Sequence, residues 1–151
     1  MARLTRESLP QVLARLERIE SDRQPQWGKM NTAQLFGHLH QVVRYTMQTE
    51  VQMPFKGNWK SRWIFRPLIL NGVVKIPKNI RVPRMAGQKV APPPPEASYG
   101  DLQLALDDYL AAQEAGTLPS ACHPFFGNLS AQDWSRFHWR HFDHHCRQFG
   151  V

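Results

Sequence analysis

The chain has 151 residues, enough to bury an ordinary core as one domain, and neither Cys122 nor Cys146 has a close partner at zinc-site or redox spacing, which excludes a disulfide framework and fits a reducing, cytoplasmic compartment. The formal charge of +7 raises nucleic acid as a partner, but the excess is local. Residues 51–95 hold nine Lys and Arg and no acidic residue, whereas the remainder is slightly acidic, with ten basic residues against twelve acidic ones.

The N-terminus is basic but has no apolar run after it, and Glu7 and Glu17 argue against a secretory signal or transit peptide. Ser8 followed by Gln11 then marks a helix start, because a short polar side chain can cap a backbone N–H while a Gln or Asp three residues on reaches back. Leu9, Val12, Leu13, Leu16 and Ile19 follow at helical spacing. Asn31 with Gln34 opens a second helix, with Met30 set to pack on Leu35, and Leu35, Leu39, Val42, Val43 and Met47 form its apolar face.

A basic insert, about residues 51–96, comes next. The sequence predicts one extra helix there from Asn58 to Gly72, kinked at Pro67. The apolar stretch Trp63 to Ile76 is interrupted by Arg66, Pro67, Asn71 and Lys75 and is too short to cross a bilayer, so no membrane partner is expected. Pro92 to Pro95 reads as a stiff extended spacer. Ser98 with Asp101 opens a third long helix carrying Leu102, Leu104, Leu106, Tyr109 and Leu110 and ending at Gly116. Ser130 with Asp133 opens a fourth, with Leu129 set to pack on Trp134, and its apolar residues Trp134, Phe137, Phe142, Cys146 and Phe149 run to Gly150. No strand pattern stands out. The expected fold is all-α: a single four-helix bundle over residues 1–151, with the insert between its second and third helices.

Seven histidines are distributed unevenly: His38 and His40 on the second helix, His123 before the fourth, and His138, His141, His144 and His145 on it. His141 and His145 are four apart, which on a helix stacks their rings over one face with Cβ atoms about 6 Å apart, within reach of one ion. A third imidazole from a facing helix would leave a coordination position open, as catalytic metal sites do. His38 is the best donor. It shares a face with Leu35 and Val42, so it points inward, where an imidazole needs a partner, and the adjacent Gly37, costing roughly 1 kcal/mol in a helix, implies close approach nearby. His40 points elsewhere, His138 and His144 are alternative ligands, and His40, His123 and His138 are candidate proton carriers or supporting partners. Asp143 reads as solvated and Cys146 as core. Neither Asp133 nor Asp143 can be assigned as a general base.

The run Trp27 and Met30-Asn-Thr-Ala-Gln-Leu-Phe-Gly-His38-Leu39, with His141-Phe-Asp-His-His145-Cys-Arg147-Gln148 near the end, resembles the DinB/YfiT-like superfamily of bacterial metal-binding bundles. In that superfamily a tryptophan-led segment opens a helix with a His-Leu pair, and a late helix carries His-x-x-x-His followed by Arg-Gly-Gln. Here Cys146 stands before Arg147 and the glycine is missing. Gln26-Trp27-Gly28-Lys29-Met30-Asn31 and His123-Pro124-Phe125-Phe126-Gly127 resemble one uncharacterised branch, a domain of unknown function. The resemblance implies a four-helix bundle, a metal site of His38, His141 and His145, and a homodimer. Its members include thiol-dependent transferases, isomerases and supposed hydrolases.

With zinc, nickel or iron(II) bound, two reactions on a small-molecule substrate follow: hydrolysis, or transfer from a small thiol cofactor. The rival reading is a non-enzymatic module binding nucleic acid or an acidic partner, since Trp59 and Trp63 interleave with Lys60, Arg62 and Arg66. Against it, Trp59, Trp63, Phe65 and Leu68 are expected to pack the extra helix over one end of the bundle, with the arginines in water. A third reading is a structural bundle whose histidines are incidental.

Overall fold

The computed structural model describes residues 2–80 and 93–151. Among these the chain is mostly helical: α1 (Leu9–Leu16), α2 (Thr32–Thr46), a π-helical turn (Ser61–Phe65) running into α3 (Arg66–Leu70), α4 (Tyr99–Glu114) and α5 (Ala131–Gln148). Two short strands, β1 (Ala121–His123) and β2 (Gly127–Leu129), pair antiparallel before α5. The all-α expectation is corrected at this hairpin. Strands of three residues are too short to show alternation, and the pairing of His123 with Gly127 depends on Gly127 adopting φ +75°, a left-handed conformation suited to glycine.

Three of the four anticipated caps form. Asn31 and Ser98 make complete reciprocal boxes with Gln34 and Asp101. Ser130 accepts from Asp133 N–H, while the Asp133 carboxylate is taken by Arg66 at 2.7 Å. Ser8 does not cap α1: its hydroxyl donates to Arg3 O and accepts from Thr5 N–H, because an upstream threonine offers the chain a local turn. The glycines Gly116 and Gly150 follow α4 and α5 with positive φ, ending each helix as read.

The insert differs from its expectation in two respects. The extra helix forms, over residues 59–70, but Pro67 is accommodated by widening the preceding turn, so that Arg66 N–H donates back five residues to Ser61 O, rather than by a kink alone. Trp59, Trp63 and Phe65 do not pack over the helices; they are exposed, Leu68 is half-buried, and Ile69 and Leu70 are the buried residues of this segment. Of the proline spacer, Pro92 lies outside the described residues and Pro93 to Pro95 form neither helix nor strand.

α2 packs on both α4 and α5, and α1 and α3 each pack on α5. One apolar cluster joins Leu9, Leu16, Leu35, Leu39, Leu102, Leu106 and Phe142 from α1, α2, α4 and α5. A second lies beneath the hairpin, where Tyr45, Ile69, Leu70, Phe126, Leu129, Trp134 and Phe137 meet. Each fully buried leucine stabilises this packing by roughly 1.5–3 kcal/mol. The buried Trp134 N–H is satisfied by Ala121 O at 3.2 Å, which locks the hairpin to the start of α5. Among the described residues no helix is long and apolar enough to cross a membrane.

Candidate metal centre

The reciprocal cap at Asn31 fixes where α2 begins and hence which face carries His38. Gly37 beside it meets the extended end of the insert: a Cβ there would collide with the carbonyl of Pro95, and Ala97 N–H donates to Ala33 O at 3.2 Å. The missing side chain therefore serves a backbone crossing rather than the imidazole itself. On α5, His141 and His145 project toward α2 from successive turns, and Phe137 stacks on the His141 ring at 5.2 Å.

The three predicted ligands are brought together. Their nitrogens lie within 4.8 Å of one another, with His38 Nε2 3.0 Å and His145 Nε2 3.1 Å from His141 Nε2. Proton accounting limits what these contacts can be. Gln148 donates its amide N–H to Trp27 O at 2.8 Å, so its oxygen faces His145 Nδ1 at 2.7 Å and that nitrogen carries the ring proton. His145 Nε2 is then a bare lone pair. A neutral His141 has at Nε2 either one proton or one lone pair, so it cannot serve both neighbours with ordinary hydrogen bonds. A cation at the shared point would accept all three lone pairs. Imidazole nitrogens bound at zinc distances and tetrahedral angles stand about 3.4 Å apart, so the two pairs made with His141 are within a few tenths of an ångström of that spacing, and all three nitrogens lie within 4.8 Å of one another.

Electrostatics agree with the donor role. Burial, reinforced by the neighbouring imidazoles, pushes His141 and His145 well below the usual histidine range, and burial with the His144 charge pushes His38 down to about 4. All three are neutral at physiological pH, the form that binds metal.

The other histidines have separate roles. His138 is fully buried against Tyr109; its Nε2 donates to the Thr46 hydroxyl at 2.9 Å, and that hydroxyl donates to Val42 O. His123 ends β1, and its Nδ1 accepts from the N–H groups of Phe125 and Phe126 at 3.2 and 3.3 Å, closing the hairpin turn. His40 stays on the opposite side of α2 from the triad, near Glu96 and Asp101. His144 adjoins the site, its ring 5.1 Å from that of His145 and edge-on to Trp27, and it bonds the backbone of Ile76. Neither acidic candidate is a free base. Asp133 is paired with Arg66 and Arg136, and Asp143, read from sequence as solvated, is held by Arg15 at 2.9 Å and Arg147 at 3.0 Å. Cys146 is core, as expected, and burial raises its thiol to about 11.

Sequence reasoning missed the support behind His145. Gln148 orients the ring, Trp27 O orients Gln148, and Gly28 makes room: a Cβ there would stand 2.6 Å from the Gln148 amide nitrogen. The spacing of Gln148 three residues after His145 was the available signal.

No curated protein and no solved structure matches the chain. A family model does, over residues 1–150, and by that match the chain belongs to the family described as Protein of unknown function (DUF1569).

Proposed function

We propose that the chain is a metal-dependent enzyme with a DinB/YfiT-like four-helix bundle made of α1, α2, α4 and α5, in which His38, His141 and His145 bind one divalent ion through Nε2. The shared apolar cluster of those four helices supports the bundle. The observation that carries the site is the convergence of three neutral imidazoles on a point where protons cannot satisfy them all. Zinc, nickel and iron(II) all suit imidazole donors. Such an ion, with a coordination position left over, supplies a water or small thiol of lowered pKa to a small-molecule substrate.

The protein's own groups position rather than titrate. Gln148 fixes the His145 tautomer, and Phe137 fixes the plane of His141. Among the described residues no carboxylate joins the triad, and arginines hold both Asp133 and Asp143. Both hydrolysis and thiol-dependent transfer suit such a site, because a metal ion lowers the pKa of bound water or thiol without help from a strong base. The superfamily resemblance supports a homodimer, and the two free cysteines suit a reducing cytoplasm.

Elemental analysis of purified protein beside His38→Ala and His145→Ala tests the site. About one divalent ion per chain is expected in the wild type and almost none in either variant. Wild-type protein that takes up no stoichiometric zinc, nickel or iron(II), or variants that keep it, would overturn the proposal.

A further inference from the structure

Among the described residues, nine of the ten exposed large hydrophobic side chains fall in the insert. Trp63 is 70% exposed, Trp59 63% and Val73 72%, and Phe55, Ile64 and Phe65 are each exposed by 40% or more. The widened turn gathers part of this surface. Trp63, Ile64 and Phe65 lie within it, and Trp59, four residues before Trp63, stands one turn ahead of it. The chain then folds back, with Val73 and Val74 N–H groups both donating to Leu68 O. Beneath, Ile69 and Leu70 are buried, and Arg66 ties the segment to Asp133 and Asn128 O, so the exposed face sits on an anchored support.

Charge identifies what this face fits. Residues 51–95 contain no carboxylate, Lys60 lies over the Trp59 ring at 5.8 Å, and Arg62 lies over Trp63 at 5.4 Å. A second copy of the chain would bring like charges together. Single-stranded nucleic acid would use the tryptophans for stacking and the cations for phosphates, but it has no use for Ile64 and Val73. Indoles at headgroup depth, aliphatic side chains just below them and Lys and Arg at the phosphates make up an interfacial membrane contact. We propose that the insert docks the protein on the surface of a bilayer rich in anionic lipid. No membrane partner was expected from the sequence because the apolar stretch Trp63 to Ile76 is too short to span a bilayer, and a surface contact needs no spanning segment.

Flotation of the intact, metal-loaded protein with vesicles tests this, using phosphatidylcholine alone and phosphatidylcholine with about one-third phosphatidylglycerol at roughly 50 mM salt. The protein is expected to float with the anionic vesicles only, with a blue shift of tryptophan emission, and to be released by added salt. Trp59→Ser with Trp63→Ser, and separately Lys60→Glu with Arg62→Glu, should each lower partition roughly tenfold or more while circular dichroism and metal content stay unchanged. The proposal is overturned if the wild type stays in solution with anionic vesicles, if both variants float like the wild type, or if an oligothymidylate binds more tightly than the vesicles and displaces them.

Discussion

Where α5 crosses α2, imidazoles and aromatic rings are stacked out of solvent, and the proton on His145 is set by a chain of three groups. In the insert, Trp59 and Trp63 stand in water beneath Lys60 and Arg62. The two regions use similar side chains under opposite electrostatic conditions. Burial keeps the histidines neutral and forces their lone pairs to find one another, whereas Lys60 and Arg62 stand over exposed indoles, and withdrawing these cations from water would call for an anionic partner. One region can therefore hold a cation, and the other suits an anionic surface.

Acid gives the largest test of that contrast. Burial lowers both His123 and His138 to about 3, against an unfolded value near 6.5. Because the folded pKa is depressed, the unfolded chain binds more protons below pH 6.5, so stability is full above that pH and is lost as pH falls toward about 3. Between pH 7 and pH 5 each group should cost no more than about 2 kcal/mol, so together they can remove up to ~4 kcal/mol. Urea unfolding across that range should show the fall, and His138→Gln should flatten part of it. A pH-independent midpoint between 7 and 5 would mean that these imidazoles are not held neutral.

Gly37→Ala should have the next largest effect, because its Cβ meets backbone at Pro95 and Glu96 rather than a movable side chain. A loss of roughly 2–3 kcal/mol in urea unfolding is expected. Next comes Gln148→Leu, which frees the His145 ring without removing a donor. Metal affinity should fall by about 10–100-fold, measured by chelator competition. An unchanged affinity would detach Gln148 from the site.

What the sequence made legible follows the same division. Asn31, Ser98 and Ser130 could be read because a cap is settled within four residues, and His38, His141 and His145 because helical period alone assigns their faces. Ser8 misled because Thr5, just upstream, competes for the same hydroxyl. The hairpin depends on three-residue strands and on Trp134 and the distant Tyr45 bonding its carbonyls. His138 read as an alternative ligand, and both it and His123 as proton carriers or supporting partners, because position in the sequence does not show a side chain's partner, and theirs are a threonine hydroxyl and backbone N–H groups.

The insert misled for the opposite reason. An apolar pattern on a helix ordinarily means a buried face, yet in this helical segment Ile69 and Leu70 are the buried residues while Trp59, Trp63, Ile64 and Phe65 are exposed. The smallest predicted effect tests this. Replacing Trp59 and Trp63 by serine removes two of the largest side chains in the protein but little buried area, so the unfolding free energy should change by less than about 0.5 kcal/mol. Deleting a buried tryptophan such as Trp134 should instead cost roughly 3–5 kcal/mol. If the double serine variant unfolds as easily as one lacking Trp134, the rings are covered in solution. The contrast between a packed histidine centre and an open aromatic face would then be lost.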